Sequence, residues 1–184
     1  MKVFISGGCK SGKSDYAEKI SVRLASRAKP LYYVATMAPA DEEDEARIAL
    51  HREKRAGAGF ETIELSRGIA DLADRCDAGG TFLIDSLTAL LANEMFLPDG
   101  GIDGAASEKI IAGLGELFLR LNNMVIVSDY IYSDAACFDA LTIQYRNGLA
   151  AIDRFCAKAC DAVAEAFCGA FMIYKGKGAL DEVF

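Results

Sequence analysis

Residues Gly7 to Ser14 read GGCKSGKS, a complete GxxxxGK[ST] pattern. Gly7, Gly8 and Gly12 let backbone N–H groups turn inward around phosphate oxygens, with Cys9, Lys10 and Ser11 completing the loop. The following helix would aim its positive end at the same phosphates. Lys13 is placed to reach β- and γ-phosphates, and the Ser14 hydroxyl to ligate Mg²⁺. Asp85 ends the apolar run TFLIDS, where a strand-end carboxylate holds Mg²⁺ directly or through water. Alone, Asp85 would read as a cap for the helix SLTALL; the phosphate loop before it favours the metal role. Together the two motifs predict a Mg-nucleotide site.

The chain's only histidine, His51, stands in DEEDEARIALHREKR. Glu43, Arg47, His51 and Arg55 recur every four residues, so on a helix they share one face. One reading is a solvated face laced with ion pairs. The other is an imidazole held between guanidiniums that meet a polyphosphate. Positive neighbours would lower its pKa and keep it neutral and nucleophilic. Attack on an α-phosphorus would then give a phosphoramidate and release pyrophosphate, with Arg47 and Arg55 stabilising charge on the phosphate oxygens.

These residues need a scaffold. KVFIS, PLYYVAT, FETIEL, TFLIDS, MVIVSD and AFMIYK read as strands. Helical spacing covers SDYAEKISVRLASRA, residues 41–56, RGIADLADRC, LTALLANEMF and about 105–122. One long amphipathic helical region is expected from about Ser133 to Phe167, stopped by Gly169 and carrying Cys156, Cys160 and Cys168 nearby as buried thiols. The alternation predicts an α/β fold: a P-loop NTPase-type, mainly parallel sheet with helices on both faces. Ligands in such sheets bind outside the carboxyl ends of the strands, so Ser6, Thr36, Asp85 and Asp129 are places to look.

The 184 residues are expected to form a single nucleotide-binding domain, 1–184. A composition of 52% hydrophobic and 26% charged residues fits a globular protein, and no apolar run is long enough to span a bilayer. The net charge of −7 disfavours non-specific nucleic-acid binding. Six cysteines without CxxC or zinc spacing, and no signal-peptide core at the start, lead to an expected cytoplasmic location.

The order GGCKSGKSDYAE, YYVAT with an acidic DEE, ARIALHREKR, TIEL and LIDSLTALLANEMF resembles the bifunctional adenosylcobinamide kinase / adenosylcobinamide-phosphate guanylyltransferase family of cobalamin biosynthesis. The resemblance is good over about residues 1–97. It implies that His51 takes a guanylyl group from GTP and passes it to adenosylcobinamide phosphate, and that the same site phosphorylates adenosylcobinamide, with GTP or ATP and Mg²⁺. It implies that Ala35, Thr36 and Met37 lie against the nucleotide, and that Arg52, Glu53, Lys54 and Arg55 contact it. Glu64 would read guanine, and the chain would assemble as an oligomer, usually a trimer, with a corrinoid acceptor. After residue 128 the sequence departs from the family pattern, with Asp129 where a glutamate is usual. Two other readings stay open: a P-loop kinase for another small alcohol, and a nucleotide-binding module without the corrinoid site.

Overall fold

The computed structural model describes residues 1–38, 57–132 and 136–181. One seven-stranded sheet runs through them, in the order β3-β2-β4-β5-β1-β6-β7. Its strands are β1 (Lys2–Gly7), β2 (Leu31–Ala35), β3 (Glu61–Glu64), β4 (Thr81–Asp85), β5 (Asn123–Asp129), β6 (Ala162–Phe167) and β7 (Ala170–Lys175). Every neighbouring pair is parallel except β6 with β7, which close as an antiparallel hairpin.

The helices are α1 (Lys13–Leu24), α2 (Leu72–Arg75), α3 (Leu87–Met95), α4 (Ala106–Arg120), α5 (Ala140–Ala159) and α6 (Lys177–Asp181), with a 3-10 turn at Ile69–Asp71 leading into α2. Alternate strand residues point to opposite faces, which sorts the core. Phe4, Phe82, Ile84, Met124 and Ile126 lie in the cluster under α3, α4 and α5, with Leu90, Leu114 and Ile152. Val3, Ile5, Leu83, Val125 and Val127 pack on the other side with Ala17 and Ile20 of α1. β1, β4 and β5 are apolar at nearly every position because both their faces are covered. This is the expected mainly parallel sheet with helices on both faces. None of the helices among the described residues is long and apolar enough to cross a membrane.

Several expectations need correction. The region 133–167 is not one helix: α5 covers Ala140–Ala159, Cys160 turns into extended backbone, and Ala162–Phe167 is a strand. AVAEAF is rich in helix-favouring alanine, but parallel pairing of β6 with β1 and the covered face at Ala162, Ala164 and Ala166 outweigh that weak preference. Gly169 therefore ends no helix. It forms the β6–β7 turn at φ 81°, beside Cys168 at φ 50°. The cysteines divide accordingly, Cys156 and Cys160 being buried and Cys168 exposed. RGIADLADRC is a 3-10 turn plus one short helix, and α1 stops at Leu24, four residues before the expected run ends. The helix expected over 41–56 lies outside the described residues.

Candidate nucleotide site

The registers bring five strand ends to one edge. Gly7 pairs with Asp129, Asp85 with Val127, and Ala35 with both Asp85 and Glu64. The loop from Gly8 to Gly12 leaves β1 there and enters α1 through Gly12, whose φ of 89° suits glycine. Gly7 is required for a different reason. A Cβ on it would lie 2.5 Å from the Ala166 carbonyl oxygen, so the close passage of β6 admits no side chain. A cavity of about 230 Å³ opens over Lys10, Ser11, Gly12, Lys13, Ser14 and Asp15.

Lys13 crosses back over this loop. Its Nζ donates to the Gly8 carbonyl at 3.1 Å and pairs with Asp129 Oδ1 at 2.6 Å. The residue is 8% exposed, so its charge sits at the floor of the loop. Helix α1 begins without a side-chain cap, and the buried Ser11 Oγ has no hydrogen-bond partner among the described residues. An uncapped helix start, an inward hydroxyl and a lysine around one cavity form an anion cradle.

Asp85 is held by the Tyr33 hydroxyl, which donates to its Oδ2 at 2.8 Å. The Asp85–Ser86 peptide is cis. Thr36 Oγ1 accepts from Ser86 N–H and donates to the Ser86 carbonyl, both at 2.7 Å. Asn93 of α3 donates to the Thr36 carbonyl at 2.7 Å. The carboxyl ends of β2 and β4 are thus laced to the start of α3, whose cap is Ser86 itself. Ser14 and Asp85 offer a hydroxyl and a carboxylate, the oxygen donors that Mg²⁺ prefers.

Asp129 is fixed from both sides. Its N–H donates to Thr88 Oγ1 at 2.9 Å, and the next residue's N–H donates to Gly7 O at 3.0 Å. The Tyr145 hydroxyl from α5 donates to Thr88 O at 2.8 Å. Burial pushes the Tyr145 phenol up to about 12, with the charges of Asp129 and Asp153 adding to it. Asp153, one turn of α5 past Leu149, is 3% exposed and accepts from the Tyr132 hydroxyl at 3.0 Å. Burial raises its pKa from 3.8 to about 6; the nearby Ser128 and Tyr132 hydroxyls pull it down, and Asp129 pushes it up. Its other oxygen, Oδ1, and Ser128 Oγ are both left without a well-formed hydrogen bond.

Of the residues expected at the site, Gly7 to Ser14, Ala35, Thr36 and Asp85 are gathered on this edge, with Met37 following Thr36. Glu64 ends β3 at the same level, but on the outermost strand, four places from β1. Arg47, His51, Arg52, Glu53, Lys54 and Arg55 lie outside the described residues. Tyr33, Ser86, Thr88 and Asn93 were missed by sequence reading. Only Ser86 had a visible signal, as the capping serine of SLTALL.

A solved KaiC-like protein, PH0186 from Pyrococcus horikoshii, shares the fold with a TM-score of 0.51 at 11% identity, covering 89% of this chain and 71% of that one. The bifunctional adenosylcobalamin biosynthesis protein CobP of Pseudomonas aeruginosa is 30% identical over 178 residues, 96% of this chain and 99% of its own. The protein CobU of the same description from Salmonella typhimurium is 32% identical over 108 residues, 56% of this chain and 55% of its own. The family described as cobinamide kinase / cobinamide phosphate guanyltransferase matches residues 3–173. With that match across almost the whole sheet, the phosphate cradle included, the chain belongs to the cobinamide kinase / cobinamide phosphate guanyltransferase family.

Proposed function

We infer that this chain is a bifunctional enzyme of cobalamin biosynthesis, which phosphorylates adenosylcobinamide and then transfers a guanylyl group from GTP to the product. The observation that carries the reading is the cradle itself: Lys13 at the floor of a phosphate loop, with Asp85 two strands away on the same edge. Loop amides, Ser11 and Lys13 hold the nucleotide phosphates and neutralise charge that builds on them. Ser14 and Asp85 would hold Mg²⁺, which when bound would offset charge on the nucleotide phosphates. Thr36, Ala35 and Met37 lie along the nucleotide, and Glu64 faces the base end of the row.

In the guanylyl half, an imidazole nitrogen of His51 attacks the α-phosphorus of GTP. A P–N bond forms, the bond to the pyrophosphate oxygen breaks, and pyrophosphate leaves with the electron pair. A phosphate oxygen of the corrinoid then attacks the same phosphorus, and the P–N bond breaks. Arg47, Arg52, Lys54 and Arg55 supply positive charge for the five-coordinate phosphorus, and Glu53 completes the run. The chain works as a homo-oligomer, a trimer in this reading; Met172 and Tyr174 on the outer strand β7, 54% and 64% exposed, suit a covered position.

Incubation with Mg²⁺ and GTP labelled at the α-phosphorus tests the reading. Acid-labile, base-stable label is expected on the parent protein and none on His51→Ala. Equal labelling of both would remove His51 from the mechanism. Absence of label from a parent that binds GTP would leave a plain kinase.

A further inference from the structure

The cradle contains a carboxylate that the guanylyl mechanism does not use. Asp129 Oδ1 lies 2.6 Å from Lys13 Nζ, the atom that reaches toward β- and γ-phosphates. Whatever Lys13 grips, Asp129 is one ammonium group away from it. An unshielded anion there would repel a triphosphate and weaken binding, so a carboxylate placed beside the phosphate loop calls for a chemical use.

We propose that Asp129 is the base of the phosphoryl-transfer half-reaction, accepting the proton of the acceptor hydroxyl as that oxygen attacks the γ-phosphorus. The inference rests on the kinase reading above. Its geometry is specific among the strand-end carboxylates. Strands lie about 4.8 Å apart, so β5, adjacent to β1, brings Asp129 closest to the loop. Asp85 on β4 is one strand farther and already accepts from the Tyr33 hydroxyl. Glu64 on β3 is four strands from β1, about 19 Å by the same spacing.

The backbone around Asp129 is pinned to Thr88 and Gly7, while its side chain keeps 27% of its surface open. A base needs that combination: a fixed root and a reachable oxygen. When nucleotide phosphate engages Lys13, the carboxylate is shared with, or released from, the ammonium and can take an incoming O–H. The acceptor oxygen forms a bond to the γ-phosphorus. The bond from that phosphorus to the β–γ bridging oxygen breaks, and the nucleoside diphosphate leaves with the electron pair. The proton passes to Asp129 and then to solvent.

Guanylyl transfer has no such proton to remove, since its nucleophiles are an imidazole and a phosphate oxyanion. The two half-reactions must therefore separate in Asp129→Asn, which keeps the shape and removes the base. Phosphorylation of adenosylcobinamide should fall by about 10²–10⁴-fold, the usual worth of a general base. His51 labelling from α-labelled GTP should fall less than ten-fold, and nucleotide should bind at least as tightly as in the parent, which also reports an intact fold. Phosphorylation within ten-fold of the parent would overturn the assignment. So would an equal fall in both reactions, which would make Asp129 a part of the cradle only. Failure of the parent itself to phosphorylate the corrinoid would overturn the kinase reading instead. Slow release of labelled γ-phosphate to water then reads the base, and Asp129→Asn must lower it ten-fold or more.

Discussion

Asp153 is the buried group whose replacement gives the sharpest physical forecast. Its carboxyl titrates near 6 in the folded protein against 3.8 ordinarily, chiefly because burial penalises the charged form. Below the ordinary value the group is protonated, folded or unfolded, and costs nothing. As pH rises through the interval from 3.8 to about 6, the unfolded chain ionises first, and stability is lost. Above that interval the penalty is complete, at about 3 kcal/mol for a displacement of roughly two units. Asp153→Asn removes the charge and keeps the shape. Its carbonyl can still accept from Tyr132, and its amide stays beside the Ser128 hydroxyl. The variant should be more stable than the parent by up to about 3 kcal/mol at pH 8, and by almost nothing near pH 4. For a chain of this length that means a Tm higher by roughly 6–12 °C at the alkaline end. Urea unfolding of both proteins at three pH values between those limits measures it. A variant no more stable than the parent at pH 8, or a gain that is constant with pH, would refute the argument that burial of a charge is the cause.

Two glycines of α4 and one lysine of β7 give further expectations. A Cβ on Gly113 would lie 2.7 Å from Ile69 Cγ2, whereas on Gly115 it would meet only Phe155 Cζ at 3.8 Å. Gly113→Ala should therefore lose about 1 kcal/mol, overpacking outweighing helix propensity, and Gly115→Ala should gain up to about 1 kcal/mol; thermal melts of the pair must move in opposite directions. Lys175 Nζ donates to the carbonyls of Ala157, Lys158 and Cys160 at the end of α5. Lys175→Met should cost about 1–2 kcal/mol in denaturant unfolding by leaving those carbonyls without their cation.

The sheet was legible because its central strands are short, apolar and bounded by turn residues, as KVFIS and TFLIDS show. The phosphate loop was legible because its chemistry demands contiguous residues. β6 was not, since Ala162, Ala164 and Ala166 carry helix propensity and declare a strand only through pairing with β1. The lacing of Thr36, Ser86 and Asn93 was hidden for a similar reason: its partners are 50 and 57 residues apart, and no local pattern marks them. Cys168 was misplaced together with the helix that was expected to hold it. Asp129 was visible as a strand end, but its contact with Lys13 depends on β5 lying next to β1.

Strand β1 sits between β5 and β6, and this has a consequence for how the protein is made. Met1 hydrogen-bonds to Asn123, 122 residues later, and Lys2 to Asp161, 159 residues later. During synthesis the phosphate loop emerges before both neighbours of its strand and before the Asp129 that meets its lysine. Until they arrive, an apolar strand with two open edges must be kept from pairing elsewhere. Nucleotide can then stabilise the cradle only after β5 and β6 have left the ribosome, so it rewards completion of the sheet and offers little help in starting it.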